Sequence, residues 1–283
     1  MNVPSLVRLL RPHQWLKNLM LYFPPFLSGA ITEPGLAIHG ILPFFAFCMG
    51  SSATYIFNDI IDCEHDRNHP VKQHRPIPSG EVTLKTAAIW AFCLFFVSLW
   101  IAVFSSSGWF VLCLGLYLLI SCIYTLKLKN IALIDIFCIA TCFLLRLEAG
   151  GEAFAITISA WLFITVFLLA LFLSIGKRLT EKRSLGTAAD LHRKSLQSYP
   201  DGFLEGAMNL TGGSVLVTYS IYTISRSQLF LTVPLCCFGL LRYIMRVKSG
   251  LNGDPTESLL KDLPLLLVSL AWALIVGWRL YFA

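Results

Sequence analysis

Asp59, Asp62 and Asp66 stand at i, i+3 and i+7, and Asn58 precedes Asp62 by four positions. On an α-helix those spacings bring the four side chains to one face. Three carboxylates stacked so closely repel unless a cation neutralises them. Oxygen-only ligands select a hard ion, and Mg²⁺ fills its remaining positions with substrate phosphates and water. The spacing therefore points to Mg²⁺ held by Asp59, Asp62 and Asp66, with Asn58 orienting a ligand or substrate oxygen, and to a diphosphate bound through the metal. Lys72 and Arg75 follow in Lys-Gln-His-Arg-Pro, arranged for further phosphate oxygens. A solvated helix end whose acids pair with Arg67 and Lys72 would account for the charges but not for their one-sided spacing. His65, His69 and His74 fit no structural zinc spacing, and the acids around them favour a harder metal. His69-Pro70, Pro76, Pro78 and Gly80 end the helix and shape the loop that follows.

Charges inside apolar runs are the second signal. Asp135 and Arg146 lie eleven positions apart in one such run, where a charge is costly unless it faces a wet cavity or a partner. Both are expected to line a cavity, the alternative being a structural pair buried between helices. Glu148 is a candidate partner for Arg146 near the far side, which would make Arg146 a scaffold residue. Gly150-Gly151 suits a tight turn or a close helix approach. After another apolar run the chain reads Gly176-Lys-Arg-Leu-Thr-Glu-Lys-Arg183, with Glu181 its one acid. Something anionic belongs there, unless the loop is basic merely because it faces the cytosol.

The elements that must position these residues are membrane helices. The 283 residues are 56% hydrophobic and only 13% charged, with mean hydropathy +0.71, far too apolar for a soluble domain of this length. Apolar runs of roughly 15–22 residues predict an all-α, polytopic single domain over 1–283 with about nine spans. They are Leu19–Ile31, Ala37–Phe57, Thr83–Phe104, Gly108–Tyr124, Ile131–Ala149, Ser159–Ile175, Phe203–Ile224, Leu229–Met245 and Leu263–Phe282. Pro24-Pro25 must kink the first. With nine spans, the basic segments Arg8 to Lys17, Arg67 to Lys85, Lys127 to Lys129, Lys177 to Lys194 and Arg242 to Lys261 share one side, and only Arg146, Arg226 and Arg279 do not. That side is the cytosol, so the N-terminus and the Asp loop are expected there, in the inner membrane of the cell. The +6 charge then needs no nucleic acid to explain it. No removable signal peptide is expected. The nine cysteines form no CxxC and read as packing residues. Trp15, Trp109, Trp161, Trp278 and Tyr281 read as interfacial anchors.

Asn58-Asp59-x-x-Asp62-x-x-x-Asp66, followed by His69-Pro70-x-Lys72-x-x-Arg75-Pro76-Ile77-x-Ser79-Gly80, resembles the first Asp-rich motif of the UbiA-type intramembrane prenyltransferase superfamily. Arg11-Pro12-x-Gln14-Trp15-x-Lys17-Asn18 resembles it as well. The resemblance covers essentially the whole chain. It implies nine helices around a central cavity capped by cytosolic loops, with the Asp residues holding Mg²⁺ on a diphosphate leaving group. The superfamily's second Asp-rich motif is missing from the basic loop at Gly176–Arg183. That loop, Tyr124-Thr-Leu-Lys127-Leu-Lys129, Ile134-Asp135-Ile136, Arg146-x-x-Ala149-Gly150-Gly151 and Asp254-Pro255-x-Glu257 are similar to the decaprenyl-phosphate phosphoribosyltransferase branch. Glu148 departs from that branch, which has a small apolar residue there, and so does Leu263, where an Arg is usual. The branch implies phosphoribosyl diphosphate as donor and a membrane-borne polyprenyl phosphate as acceptor, a pair rich in phosphate. Lys17, Lys72, Arg75, Lys127, Lys177 and Arg178 are the expected phosphate contacts, with Tyr124, Asp135 and Arg146 also at the substrate. Transfer of a polyprenyl chain to an aromatic acceptor is the alternative activity, a lipid transporter or scaffold the non-enzymatic one, and a homo-oligomer is compatible with each.

Overall fold

The computed structural model of the chain describes residues 3–33, 35–68, 71–185, 194–224 and 229–282. His69, Pro70, Arg193 and Arg226, which enter the sequence reading above, lie outside them. The chain opens with α1 (Val3–Leu10) and a 3-10 segment (Pro12–Tyr22), then two short helices, α2 (Phe23–Ser28) and α3 (Leu36–His39). There follow α4 (Ile41–Ile61), α5 (Cys63–Arg67), α6 (Leu84–Ser105), α7 (Gly108–Leu126), α8 (Ile134–Ala153) and α9 (Ala160–Leu185). The last elements are α10 (Lys194–Gln197), α11 (Phe203–Ile224), α12 (Val233–Lys248), α13 (Pro255–Lys261) and α14 (Leu263–Tyr281). Among the described residues there is no strand.

Six stretches are long and apolar enough to cross a membrane: Leu36–Ile61, Leu84–Ser105, Gly108–Leu126, Ala160–Ser184, Leu229–Lys248 and Leu263–Tyr281. The chain is a multi-pass membrane protein. α6 turns Ile89, Phe92, Phe96, Trp100 and Val103 outward, an apolar face that only lipid can cover along its length. Side-chain caps fix several starts: Thr83 accepts from the Thr86 amide at 3.2 Å, Ser107 from Phe110 at 3.3 Å and Asp262 from Leu265 at 3.1 Å. α8 and α11 are as long as the others but more polar. α8 packs between α7 and α9, and α11 lies along α9.

The predicted first span is corrected. Leu19–Ile31 is not one helix but the end of the 3-10 segment and the six-residue α2. Pro24 and Pro25 sit in the first turn of α2, where a missing N–H costs nothing, and the left-handed Gly29 (φ 81°) ends it. Gly150 explains why this irregular segment can lie deep against α8. A Cβ there would stand 2.3 Å from the Leu21 carbonyl oxygen, so Gly150-Gly151 serves a close backbone approach within α8, not a turn. Gly150→Ala is expected to lower stability by roughly 1–3 kcal/mol through overpacking against backbone that cannot yield; a melting curve in detergent that matches the wild type would contradict the approach.

Candidate functional site

The acidic cluster sits where α4 passes into α5. Helical hydrogen bonding continues through the junction, with the Asp62 amide 2.9 Å from the Asn58 carbonyl and the Asp66 amide 2.8 Å from the Asp62 carbonyl. The carboxylates nevertheless divide. Asp59 and Asp66 are buried and share one cation: Arg75 Nη1 lies 3.0 Å from Asp59 Oδ1 and 2.6 Å from Asp66 Oδ2. Arg11 Nη2 adds contacts of 2.6 Å to both oxygens of Asp59, and Lys72 Nζ lies 3.6 Å from Asp66. Asp62 turns instead to Lys129, which donates to it. Asn58 Oδ1 accepts from the Thr125 hydroxyl at 3.4 Å.

Of the three expected ligands, Asp59 and Asp66 are brought together and Asp62 stands apart, and no three acidic, His or Cys side chains converge on a common point among the described residues. Four basic side chains surround three acids, so the cluster is neutralised from within the chain. The donor set still fits a hard divalent cation. Two buried carboxylates already converge on a single positive nitrogen, and an ion in that place would leave several positions for phosphate oxygens and water.

A second polar group lies inside the helix bundle. Lys17 and Tyr55 are surrounded by protein yet keep accessible surface, and so does Lys177, whose side chain is 34% exposed. Together they outline a partly accessible recess. Lys177 Nζ donates to Asp254 Oδ2 at 2.9 Å. Asp254 also caps α13, accepting from the amides of Thr256 at 3.1 Å and Glu257 at 3.3 Å. Burial first, then the charge of Lys177, brings the Lys17 ammonium down to about 8, while Asp254 opposes both. Burial alone would raise the Asp254 carboxyl; Lys177 and Lys17 overcome it and hold the group well below the usual carboxylate range.

Several predicted contacts are reassigned by burial. Arg178 and Asp135, expected at phosphate and cavity, are sealed together: Nε lies 2.7 Å from Asp135 Oδ2, with side chains 2% and 0% exposed. Arg178 also donates to Glu181 at 2.5 Å and to the Tyr124 hydroxyl at 3.0 Å, while Asp135 Oδ1 accepts from Tyr199 at 2.7 Å. This network straps α7, α8 and α9 together and leaves neither charge facing a ligand. Arg146 does not pair with Glu148. Its Nε donates to Asn18 at 2.8 Å, its Nη1 to the Cys142 carbonyl at 2.8 Å, and the guanidinium lies 4.4 Å from the Tyr117 ring. Arg146 is therefore a buried strut that holds the 3-10 segment on α8. Of Lys127 and Lys129, the second reaches the acidic cluster, while Lys127 is exposed at the end of α7. Trp15 donates to Ser52 at 3.0 Å and Tyr281 to the Phe26 carbonyl at 2.8 Å, so each ring is also tied to a neighbouring segment.

Sequence reasoning assigned no chemistry to Arg11, Tyr55 or Lys129. Arg11 bears the signal within Arg11-Pro12-x-Gln14-Trp15-x-Lys17-Asn18. It adopts a left-handed backbone (φ 52°), and its guanidinium sits 5.4 Å from the Tyr55 ring as it reaches Asp59. A non-glycine residue in that conformation is held by its surroundings.

Apolar helices gathered around an acidic cluster with basic partners drawn from other segments define an intramembrane protein with a charged site. The chain belongs to the UbiA prenyltransferase family, whose profile matches residues 22–261. It is 31% identical to the decaprenyl-phosphate phosphoribosyltransferase of Mycolicibacterium smegmatis, over 99% of this chain and 94% of that one. It is also 31% identical to the enzyme of the same name from Corynebacterium glutamicum, over 98% and 87%. Among solved structures, a UbiA homolog from Archaeoglobus fulgidus bound to GPP and Mg²⁺ shares the fold with TM-score 0.77 and 19% identity, over 99% of this chain and all of that one.

Proposed function

We propose that this protein transfers the 5-phosphoribosyl group of phosphoribosyl diphosphate to a polyprenyl phosphate, releasing diphosphate. The observation that carries the reading is the presence of two separate cationic groups. One surrounds the acidic cluster, and the other, Lys17 with Lys177, lies in the recess. A prenyl diphosphate offers one polyanionic end, whereas this donor and acceptor bring a diphosphate, a phosphate monoester and a lipid phosphate. Near-full-length similarity to enzymes of that name supports it, and the site lies on the cytosolic side of the inner membrane in this reading.

Asp59 and Asp66 would hold Mg²⁺, with Asp62 and Asn58 at the margin of the site. An ion held there would supply Lewis-acid neutralisation of the leaving diphosphate. Arg11, Arg75, Lys72 and Lys129, freed from the carboxylates, then lie within reach of diphosphate oxygens. These cations stabilise the charge that develops as the C1–O bond breaks and the ribose gains oxocarbenium character. The acceptor phosphate is already an anion at neutral pH, so attack on the opposite face needs no strong general base, and C1 inverts. Enclosure by the helices keeps water from the sugar. The lipid tail leaves between helices into the bilayer, where its apolar surface is at home.

Purified protein given phosphoribosyl diphosphate, polyprenyl phosphate and Mg²⁺ is expected to release diphosphate and form a phosphoribosyl lipid, with no turnover in excess chelator. Turnover of a prenyl diphosphate with an aromatic acid instead would overturn the assignment.

A further inference from the structure

We propose that Lys17, Lys177 and Asp254 form a separate subsite for a phosphate monoester, the 5-phosphate of the donor, in which Asp254 is the positioning residue. The inference rests on the function proposed above and adds a place for the donor's second anionic end.

Its first support is how firmly Asp254 is aimed. The loop that carries it lies directly on α9: a Cβ on Gly253 would stand 2.5 Å from Thr180 Oγ1 and 2.8 Å from the Gly176 carbonyl oxygen. A Cβ on Gly176 would stand 2.6 Å from the Tyr243 ring, whose hydroxyl lies 2.7 Å from the Gly253 carbonyl. Two side-chain-free positions and one buried tyrosine thus hold the loop against the residue preceding Lys177. Asn252 Oδ1 accepts from the Asp254 amide at 3.0 Å, and Ser258 Oγ donates to the Asn252 carbonyl at 2.9 Å. A cap on a seven-residue helix needs none of this precision, whereas orienting an ammonium does.

The second support is charge. Lys17 and Lys177 face the same recess from the 3-10 segment, which packs on α13, and from α9, and the charge of Lys177 lowers the affinity of Lys17 for its proton. Two ammonium groups in such a place have no structural use unless an anion joins them. Asp254 alone cannot neutralise both, because one of its oxygens is occupied by the Thr256 and Glu257 amides and the other by Lys177. What remains is an excess of positive charge over Asp254, with Lys177 fixed by its ion pair and Lys17 available to an anion. It is distinct from the acidic cluster, where each Asp carboxylate already has its own basic partners.

Other charges facing Lys17 are Arg146 on α8 and Arg11, six positions earlier in the chain, both lowering its pKa, whereas Asp254 raises it. Neutralising Asp254 therefore drives Lys17 to lose its proton at lower pH. The acid-side form, Lys17 charged, is the competent one, so the alkaline limb of the activity profile lies near Lys17's value of about 8 in the wild type and moves to lower pH in the variant.

The test is Asp254→Asn, which keeps an oxygen to cap α13, measured with ribose 5-phosphate and pyrophosphate as competing inhibitors of the wild-type reaction. The expected result is a rise of roughly tenfold or more in donor KM and in the ribose 5-phosphate inhibition constant. Pyrophosphate inhibition and lipid KM stay near wild type, and the alkaline limb shifts down by roughly one unit. Lys177→Met leaves the cap of α13 intact and gives the same split, which keeps the test open if the first variant folds poorly. An equal loss of kcat at every pH, with ribose 5-phosphate inhibition unchanged in both variants, would overturn the subsite. Wild-type protein that fails to use phosphoribosyl diphosphate at all would instead overturn the proposed function.

Discussion

Asp59→Asn is expected to reduce turnover by about a thousandfold, the scale seen when a group that stabilises developing charge is removed, while the protein stays folded. Of the three carboxylates in the cluster, Asp59 is the one on which the most contacts converge: both oxygens meet Arg11 Nη2 at 2.6 Å, and Oδ1 also meets Arg75. An amide there removes half of the paired charge that would hold the ion, yet Arg75 keeps its 2.6 Å contact with Asp66, so the junction between α4 and α5 retains its lock. Asp62→Asn should cost distinctly less. Asp62 faces Lys129 and does not share the Arg75 nitrogen. Diphosphate release at saturating donor, with melting measured on the same samples, decides the matter. An Asp59→Asn variant retaining more than a tenth of wild-type turnover, or an Asp62→Asn variant falling just as far, would remove the basis for placing the ion between Asp59 and Asp66.

The acidic motif was legible because its meaning lies in local spacing. Asp59, Asp62 and Asp66 sit on one helical stretch, and three and seven residues apart is a statement about one face. What spacing could not show was which cation each acid meets, because Arg11, Arg75 and Lys129 come from three other segments and distance along the chain carries no record of that. The same limit explains the buried charges. Asp135 and Arg146 share α8, which invited reading them as one pair or one cavity wall. Folding gave each a partner from elsewhere: Arg178 on α9 for Asp135, and Asn18 in the 3-10 segment for Arg146. Apolar run length foretold α6, α7 and α14 well, since each is a continuous helix long and apolar enough to cross a membrane. It failed at Leu19–Ile31, where an apolar stretch of similar composition is broken by Pro24-Pro25 and covered by protein. Lys177 and Arg178 show how far neighbours can diverge: on a helix, adjacent side chains point about 100° apart, and one turns to the recess while the other is sealed between helices.

Arg178→Met should destabilise the protein by about 3–5 kcal/mol, because it strands the fully buried Asp135 carboxylate without its cation. Replacing both residues, as Arg178→Met with Asp135→Leu, should recover most of that loss, since an apolar pair of similar volume avoids the desolvation that the ion pair must offset. Tyr199 loses an acceptor in the double variant but still accepts from the Leu133 amide at 2.7 Å. The pair also separates two roles for Arg178. If it were a phosphate ligand, the double variant would be stable and inactive. As a strut joining α8 to α9, it should regain turnover together with stability, because Lys177 returns to its place once α9 is seated. Denaturant titration in detergent alongside diphosphate release distinguishes the two, and a stable double variant with turnover still below a hundredth of wild type would return Arg178 to the substrate.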